Sequence, residues 1–495
     1  MGEAKKFRCQ LFDSSAAIIV DLITNSGVRM PYSPKVMSLR RTAIANCRGP
    51  WMRRQLPSLG RRGLLELAAA SGALTVAPHD WAVATAPAGQ NTPNNIDIVR
   101  APYYADRTGK LGCAAAVQAA IDLVQKNGSG SLYFPQGQYQ LDAPVVGYGN
   151  SLSFLGDGEA LSILKVTHNS TAFGITCTYP TDSISFEDLG MSPCPIDGGT
   201  AGVALELSYP SGAAAWQRCI IDTVDFGVAL PGYTAFLGAI TAKNCWRGNF
   251  RNINLHGENL IGGFFARMAG LSIDNRFIDV NVDGFNDGVL VAGYSEGLYL
   301  TRCVLITNSG LSTGTSGYLS DKGTTGVNLL QLRIDNSEFN CTSSALSMYQ
   351  VTQALISNTH FGVQYDRSPA IRLLGSNNNQ FSTCHVTGQF GAPDFGHFVG
   401  IEVGGIPFGQ GQLNGSNNNQ FDSMSFAGVQ AAIVLSPGAV GTTGTGGRMN
   451  AYGTGSLQSG IIDVEGFPTR PVVDRSGNST NHTQWFGPAG LVGIN

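Results

Sequence analysis

The chain has 495 residues, 64 of them glycine, with 13% charged residues and a formal net charge of −3. That length holds one large elongated domain or two to three ordinary ones. So much glycine with so little charge fits strands and turns and excludes a helical bundle. Residues 1–86 hold 12 Lys+Arg and 5 Asp+Glu; subtracted from totals of 31 and 34, that leaves 19 against 29, or −10, for the rest. An acidic body argues against nucleic acid as a partner. It leaves room for an acidic polysaccharide held by local arginine or a bound cation.

The first elements in chain order are a leader and a targeting segment. Residues 1–51 show no fold pattern and are expected to be a disordered or wrongly included leader, which makes Met52 a second candidate start beside Met1. Residues 52–86 read as an export signal. Arg61-Arg62 lead into an apolar stretch, Ala68–Ala77, too short to span a bilayer, and Ala82-Val-Ala84 and Ala84-Thr-Ala86 offer small-residue cleavage sites. The paired arginines resemble a twin-arginine signal, although Glu66 falls where such signals usually carry no acid. The expected location is secreted or periplasmic, with no membrane segment after signal removal.

The stretch from Tyr104 to Leu141 organises the rest of the chain. Ala114, Val117, Ala120, Ile121 and Val124 are spaced as one face of a short helix, which Gly128 and Gly130 end. Leu132, Phe134, Tyr139 and Leu141 then alternate around a Pro-Gln-Gly turn, which is strand chemistry. One helix before a long file of strands is the layout of a capped solenoid, the helix covering the open end of the core.

From about residue 145 one pattern returns, clearest in Ile334-Asp-Asn-Ser-Glu-Phe339. Aligned on its last residue it recurs at Met191, Phe226, Leu255, Ile278, Leu305, Phe339, Phe361, Val386 and Phe426. Self-similarity at this spacing marks a solenoid. Five residues earlier stands an apolar column: Phe186, Ile221, Phe250, Ile273, Leu300, Ile334, Ile356, Phe381 and Phe421. Two earlier, the residues are compact (Val224, Ile253, Cys303, Ser337, Thr359, Cys384, Met424), and Arg276 breaks the column. Four earlier and one earlier they are mostly polar and are expected to face out. Three earlier, Asn252, Asn275, Asn336 and Asn358 suit the left-handed conformation of a tight bend, where stacked amides would form an asparagine ladder. A second strand comes after each repeat, as in Asp287-Gly-Val-Leu-Val291, Ala370-Ile-Arg-Leu-Leu374 and Gly400-Ile-Glu-Val403. About ten coils at ~4.8 Å each give a rod on the order of 45–50 Å long. The β-helix domain is expected over 100–436, with 437–495 as a C-terminal cap or tail. None of the eight cysteines after the signal forms Cys-x-x-Cys, so no zinc site is expected. Buried thiols are the expectation, with Cys177–Cys194 the one disulfide worth testing.

Asp106-x-Thr-Gly, the helix, Leu132-Tyr-Phe-Pro-Gln-Gly-Gln-Tyr-Gln-Leu141 and Leu155-Gly-Asp-Gly158 resemble the start of the pectate-lyase-like, rhamnogalacturonase/epimerase-type β-helix superfamily. The resemblance implies an all-β fold, a right-handed parallel β-helix with a short N-terminal capping helix. It implies carbohydrate chemistry without naming the reaction. Where the family often has an acidic pair before the helix, this chain has Gly112-Cys113.

A rod-shaped face suits a polymer. Hydrolysis needs paired carboxylates, whereas β-elimination needs one base near the C5 proton of a uronic acid and a cation or arginine on its carboxylate. The acidic stretch nearest a groove strand supplies Asp283 and Asp287 as catalytic candidates. Asn281-Val-Asp283-Gly resembles the Asn-x-Asp-Gly element of polygalacturonase-type glycosidases and Asn286-Asp287 half of their Asp-Asp element, fused here, while their Gly-His-Gly and Arg-x-Lys elements are absent. Outward positions on the second strand supply Arg267, Arg372 and Glu402 as substrate-binding candidates, and the 308–328 insertion adds Lys322; ordinary solvated surface is the alternative for each. Arginine reads sugar carboxylates through its planar fork. His360 and His385 recur one coil apart and are expected to serve the surface. The expected function is an exported carbohydrate-active protein cleaving a polysaccharide by hydrolysis or β-elimination, with Ca2+ called for by some lyase mechanisms. The alternative is a non-catalytic β-helix that binds polysaccharide or serves as a cell-surface module.

Overall fold

The computed structural model describes residues 95–211, 218–256, 263–312, 329–364, 368–388, 398–408 and 412–445, with short strands beyond. The expected leader, export signal and Lys322 lie outside these residues. The chain winds as a right-handed parallel β-helix whose strands pair coil upon coil in three ladders. In ladder A, Leu132, Phe154, Phe186, Ile221, Phe250, Phe277, Leu300, Ile334, Ile356, Phe381 and Phe421 succeed one another in direct register. Ladder B stacks Leu255, Val282, Leu305, Phe339, Phe361, Val386 and Phe426. Ladder C stacks Phe173, Leu205, Ile240, Ala266, Val289, Leu311, Leu346, Ile371, Ile401 and Ile433. All are buried and meet in one continuous core. Rings lie face to face along the axis, as in Phe154–Phe186 at 4.4 Å and Phe250–Phe277 at 4.6 Å between centroids. Each buried aromatic contributes about 1.5–3 kcal/mol of transfer free energy, and no coil could bury its inner face alone.

One coil departs from the expected register by four residues. Phe277, not Ile273, continues the ladder A column, and Val282, not Ile278, continues ladder B. Ile273 instead pairs with Glu296 and is half-buried. The shift removes the apparent exception at Arg276. Val280 fills the compact buried column, and Arg276 faces solvent. Ile273 and Phe277 are both apolar and four apart, so periodicity alone fits either.

The bend from ladder A to ladder B needs positive φ at one residue per coil. Asp188, Thr223, Asn252, Asp279, Arg302, Asn336, Asn358, Thr383 and Ser423 all have φ between 48° and 56°. Asparagine is favoured there for its tolerance of that conformation. These amides do not form the expected ladder, however. They bond sideways at the surface, Asn252 Nδ2 donating to Asp222 Oδ1 at 2.8 Å. The buried amide ladder sits at the other bend, from ladder C to ladder A. There Asn379 Nδ2 donates to Asn419 Oδ1 at 2.9 Å, while the Ala354 N–H donates to Asn379 Oδ1 at 2.8 Å. Asn275 belongs to it too, accepting from the Gly248 N–H at 2.8 Å. Both Ser-Asn-Asn-Asn-Gln-Phe tracts are turns leading into ladder A, as expected. The bend from B to C is tight for a different reason. A Cβ on Gly310 would stand 2.2 Å from the Ala345 carbonyl oxygen and one on Gly288 2.5 Å from the Gly310 carbonyl oxygen, which is why both positions are glycine.

Helix α1 (Ala114–Lys126) buries Ala114, Val117, Ala120, Ile121 and Val124 against the first coils. No acidic pair precedes it. Asp142, from a neighbouring coil, accepts from the Ala114 N–H at 3.2 Å and serves the positive helix end in its place. Asp106 accepts from the N–H groups of Thr108, Lys110 and Leu111 and from the Thr108 hydroxyl. These donors, Leu111 first, hold its carboxyl down at about 2. Asp157 ties the two later motifs together, accepting from the Gln136 N–H at 2.7 Å and from the Tyr133 hydroxyl. Parallel pairing does not stop at 436; Phe421 pairs with Gly444, Phe426 with Met449 and Ile433 with Val472. The eight cysteines are all buried and unbridged, so the Cys177–Cys194 disulfide is not formed. Burial pushes the Cys177 and Cys303 thiols up to about 12, which makes them packing residues.

Candidate functional site

On ladder C, from Glu206 to Glu402, the residue after the inward side chain lies on the outer side. This outer column runs Glu206, Thr241, Arg267, Leu290, Ser312, Ser347, Arg372, Glu402. Arg267 and Arg372 therefore share one line, four rungs apart, or ~19 Å at the usual strand spacing. Arg267 is exposed and has no ion pair among the described residues. Arg372 is committed. Its Nε donates to Glu402 Oε2 at 3.0 Å. Burial alone would push its guanidinium down, but Glu402 and Tyr349 outweigh this and hold it charged.

Asp287 stands where the chain turns onto ladder C, three residues before Leu290, in register with Phe264 on one coil and Ser309 on the next. It is half-buried, and burial raises its carboxyl above the ordinary range; a hydrogen bond from Asn286 Nδ2 at 3.4 Å opposes this weakly. Asn286 is itself held, its Oδ1 accepting from Asn308 Nδ2 at 2.8 Å. Arg267 and Asp287 thus lie on neighbouring coils, offset by three residues, or ~10 Å along the strand, with Asp287 at the corner where ladder C begins.

Asp283 is elsewhere. It is exposed on the outer face of ladder B, between His256 and Ile306, and a register shift separates it from Phe285 and the turn onto ladder C. The same face carries Glu338, His360, His385 and Ser425 on successive coils. The imidazoles stack at 5.3 Å. His360 Nε2 meets Thr387 Oγ1 at 2.7 Å and His385 Nδ1 meets Ser425 Oγ at 2.7 Å. Burial lowers both pKa values; Glu338 opposes this at His360, and the neighbouring ring adds to it at His385. These rings are engaged with one another and with hydroxyls, as surface residues.

Ladder A carries a feature that pattern reading missed. Arg276, Tyr299 and Arg333 occupy successive rungs of one outward column. The guanidinium carbons lie 5.5 and 5.7 Å from the centre of the Tyr299 ring. The four-residue register slip hid this, since it put Arg276 inside. Beside Arg333 runs a groove of about 440 Å³, lined largely by Gln and Asn side chains. Among the described residues no three His, Cys, Asp or Glu side chains gather to hold a metal ion, and no helix is long and apolar enough to cross a membrane.

Solved structures share this architecture at low identity. The A-module of a mannuronan C-5 epimerase from Azotobacter vinelandii matches with a TM-score of 0.51 and 14% identity, over 77% of this chain and 97% of that one. The Dettilon tailspike protein matches with a TM-score of 0.50 and 14% identity, over 79% of this chain and 70% of its own. At such identity the likeness speaks for the fold. No family model and no curated protein matches the chain.

Proposed function

We propose, on the premise that this chain is a pectate-lyase-like parallel β-helix, that it acts on an acidic polysaccharide lying along the outer face of ladder C and cleaves it by β-elimination. The observation that carries the reading is a half-buried carboxyl of raised pKa, Asp287, at the start of ladder C, with an exposed arginine, Arg267, on the neighbouring coil three residues further along the strand. Arg267 neutralises the uronate carboxylate and so acidifies the C5 proton. Asp287 takes that proton, the C4–O bond breaks as the C4=C5 double bond forms, and the same carboxyl returns the proton to the departing oxygen. A pKa raised by burial suits both steps. Hydrolysis calls for a second carboxylate across the bond, and Asp283, the nearest sequence candidate, stands on ladder B. Export through the Arg61-Arg62 segment would bring the protein to such a polymer outside the cytoplasm.

A second reading is non-catalytic polysaccharide binding, favoured by the Arg372–Glu402 pair, which takes one expected carboxylate reader out of use. Ultraviolet absorbance of the unsaturated product, measured beside reducing ends across a panel of acidic polysaccharides, separates the readings. β-elimination gives both signals, and Asp287→Asn lowers the rate by roughly a hundredfold or more while the fold persists. Reducing ends without absorbance mean hydrolysis. Neither signal on any polymer means binding alone, and full activity in Asp287→Asn removes the residue from the mechanism.

A further inference from the structure

We infer that the outer face of ladder A is a second binding strip, for an acidic polysaccharide bearing carboxylate or sulfate groups, distinct from the face that carries Asp287. The strip begins with Arg276, Tyr299 and Arg333 and continues in the same column through Leu355, Gln380 and Gln420. Each guanidinium carbon lies within cation–π reach of the Tyr299 ring, at 5.5 and 5.7 Å from its centre, and no hydrogen bond to an acid takes up its N–H donors among the described residues. Among the described residues neither arginine makes an ion pair. Arg251, Arg302 and Arg372 do, with Asp222, Asp279 and Glu402 at 2.7, 2.6 and 3.0 Å. The acid nearest Arg333 along the strand, Asp335, is engaged with the next coil, accepting from Ser357 Oγ at 2.7 Å and Asn358 Nδ2 at 3.3 Å; Asp274, two residues before Arg276, makes no ion pair with it among the described residues.

The groove of about 440 Å³ continues this line past Leu355, Gln380 and Gln420. A primary amide offers donors and an acceptor together, which is what a sugar hydroxyl needs. Leu355, 46% exposed, offers an apolar patch for the C–H face of a ring. Rungs repeat every ~4.8 Å, so the two arginines stand ~9.6 Å apart and the strip runs ~24 Å. An evenly repeating anionic chain uses all of it; a small anion would use one rung. Single-stranded nucleic acid uses aromatic faces for base stacking, and Tyr299, the one aromatic ring of this column, is already engaged by two guanidinium groups.

The test is binding of the full chain to oligogalacturonate, heparin fragments, neutral dextran and an oligothymidylate, by calorimetric titration. It is run in the Arg267→Gln background, which weakens the ladder C face and leaves ladder A intact. Binding of an acidic oligosaccharide should persist there and weaken about tenfold or more when Arg276→Gln and Arg333→Gln are added, with thermal unfolding unchanged because both side chains are exposed. The tighter of oligogalacturonate and heparin tells carboxylate from sulfate. Unchanged affinity in the added double variant, equal affinity for dextran, tighter binding of oligothymidylate, or no binding of either acidic probe would overturn the inference. Loss of lyase activity in Asp287→Asn bears on ladder C alone, so the two readings fail separately.

Discussion

Asn379 shows at residue scale why a tract resembling low complexity is structural. Its side chain takes the Ala354 N–H, reaches the Val351 carbonyl and passes a hydrogen bond to Asn419, all in a buried bend. Asn379→Leu keeps the size and strands those partners, so about 3 kcal/mol of stability should be lost, read as a lower urea midpoint at constant slope. Asp287 should behave oppositely. A carboxyl whose folded-state pKa is raised favours folding below its ordinary value of 3.8 and opposes it once pH climbs through the raised value. Asp287→Asn should therefore be more stable than the parent at neutral pH, the difference fading towards pH 3.8. A stability loss at neutral pH would mark Asp287 as a structural acid, not a functional one.

At the scale of elements, the ladders test the corrected register. Phe277→Ala should cost about 3–5 kcal/mol, and Ile273→Ala, at a half-buried site off the column, less than half as much. Equal costs would contradict the pairing of Phe277 with Phe250 and Leu300. The stacked imidazoles link neighbouring strands of ladder B and set an acid limit. Their pKa values are lowered on folding, so the stability they contribute is present above the ordinary value of 6.5 and lost as pH falls through the lowered ones. His360→Gln with His385→Gln should flatten the fall in melting temperature on acidification. An unchanged profile would show the rings titrating as free surface groups.

The same physics decides what is legible in the sequence. Ile334, Ile356, Phe381 and Phe421 can be placed from pattern because a stacked core demands an apolar residue at each return. The outward column of Arg267, Arg372 and Glu402 comes from simple alternation. Three features are hidden. The amide ladder is assigned to the wrong bend because Asn serves both positive φ and amide stacking, and only burial separates the uses. Arg276 and Arg333 give no signal because a partner one coil away is distant in sequence. Asp283 and Asp287, four apart, are close in sequence, yet a corner divides them.

For the whole molecule, a single core runs under three outer faces of different chemistry. Ladder C offers Asp287 and Arg267, ladder B a hydrogen-bonded histidine stack, and ladder A an arginine–tyrosine strip in an otherwise acidic body. Stability in such a solenoid is a sum of coil-to-coil contacts, so outward residues can vary without endangering the fold. That separation of core from faces lets one architecture carry different chemistries. The most direct measurement is the structure of the Asp287→Asn protein with an acidic oligosaccharide bound. A sugar chain is expected along ladder C, with a uronate carboxylate on Arg267 and its C5 hydrogen facing residue 287. A chain found only on ladder A or ladder B, with the Arg267 face empty, would contradict the proposed site.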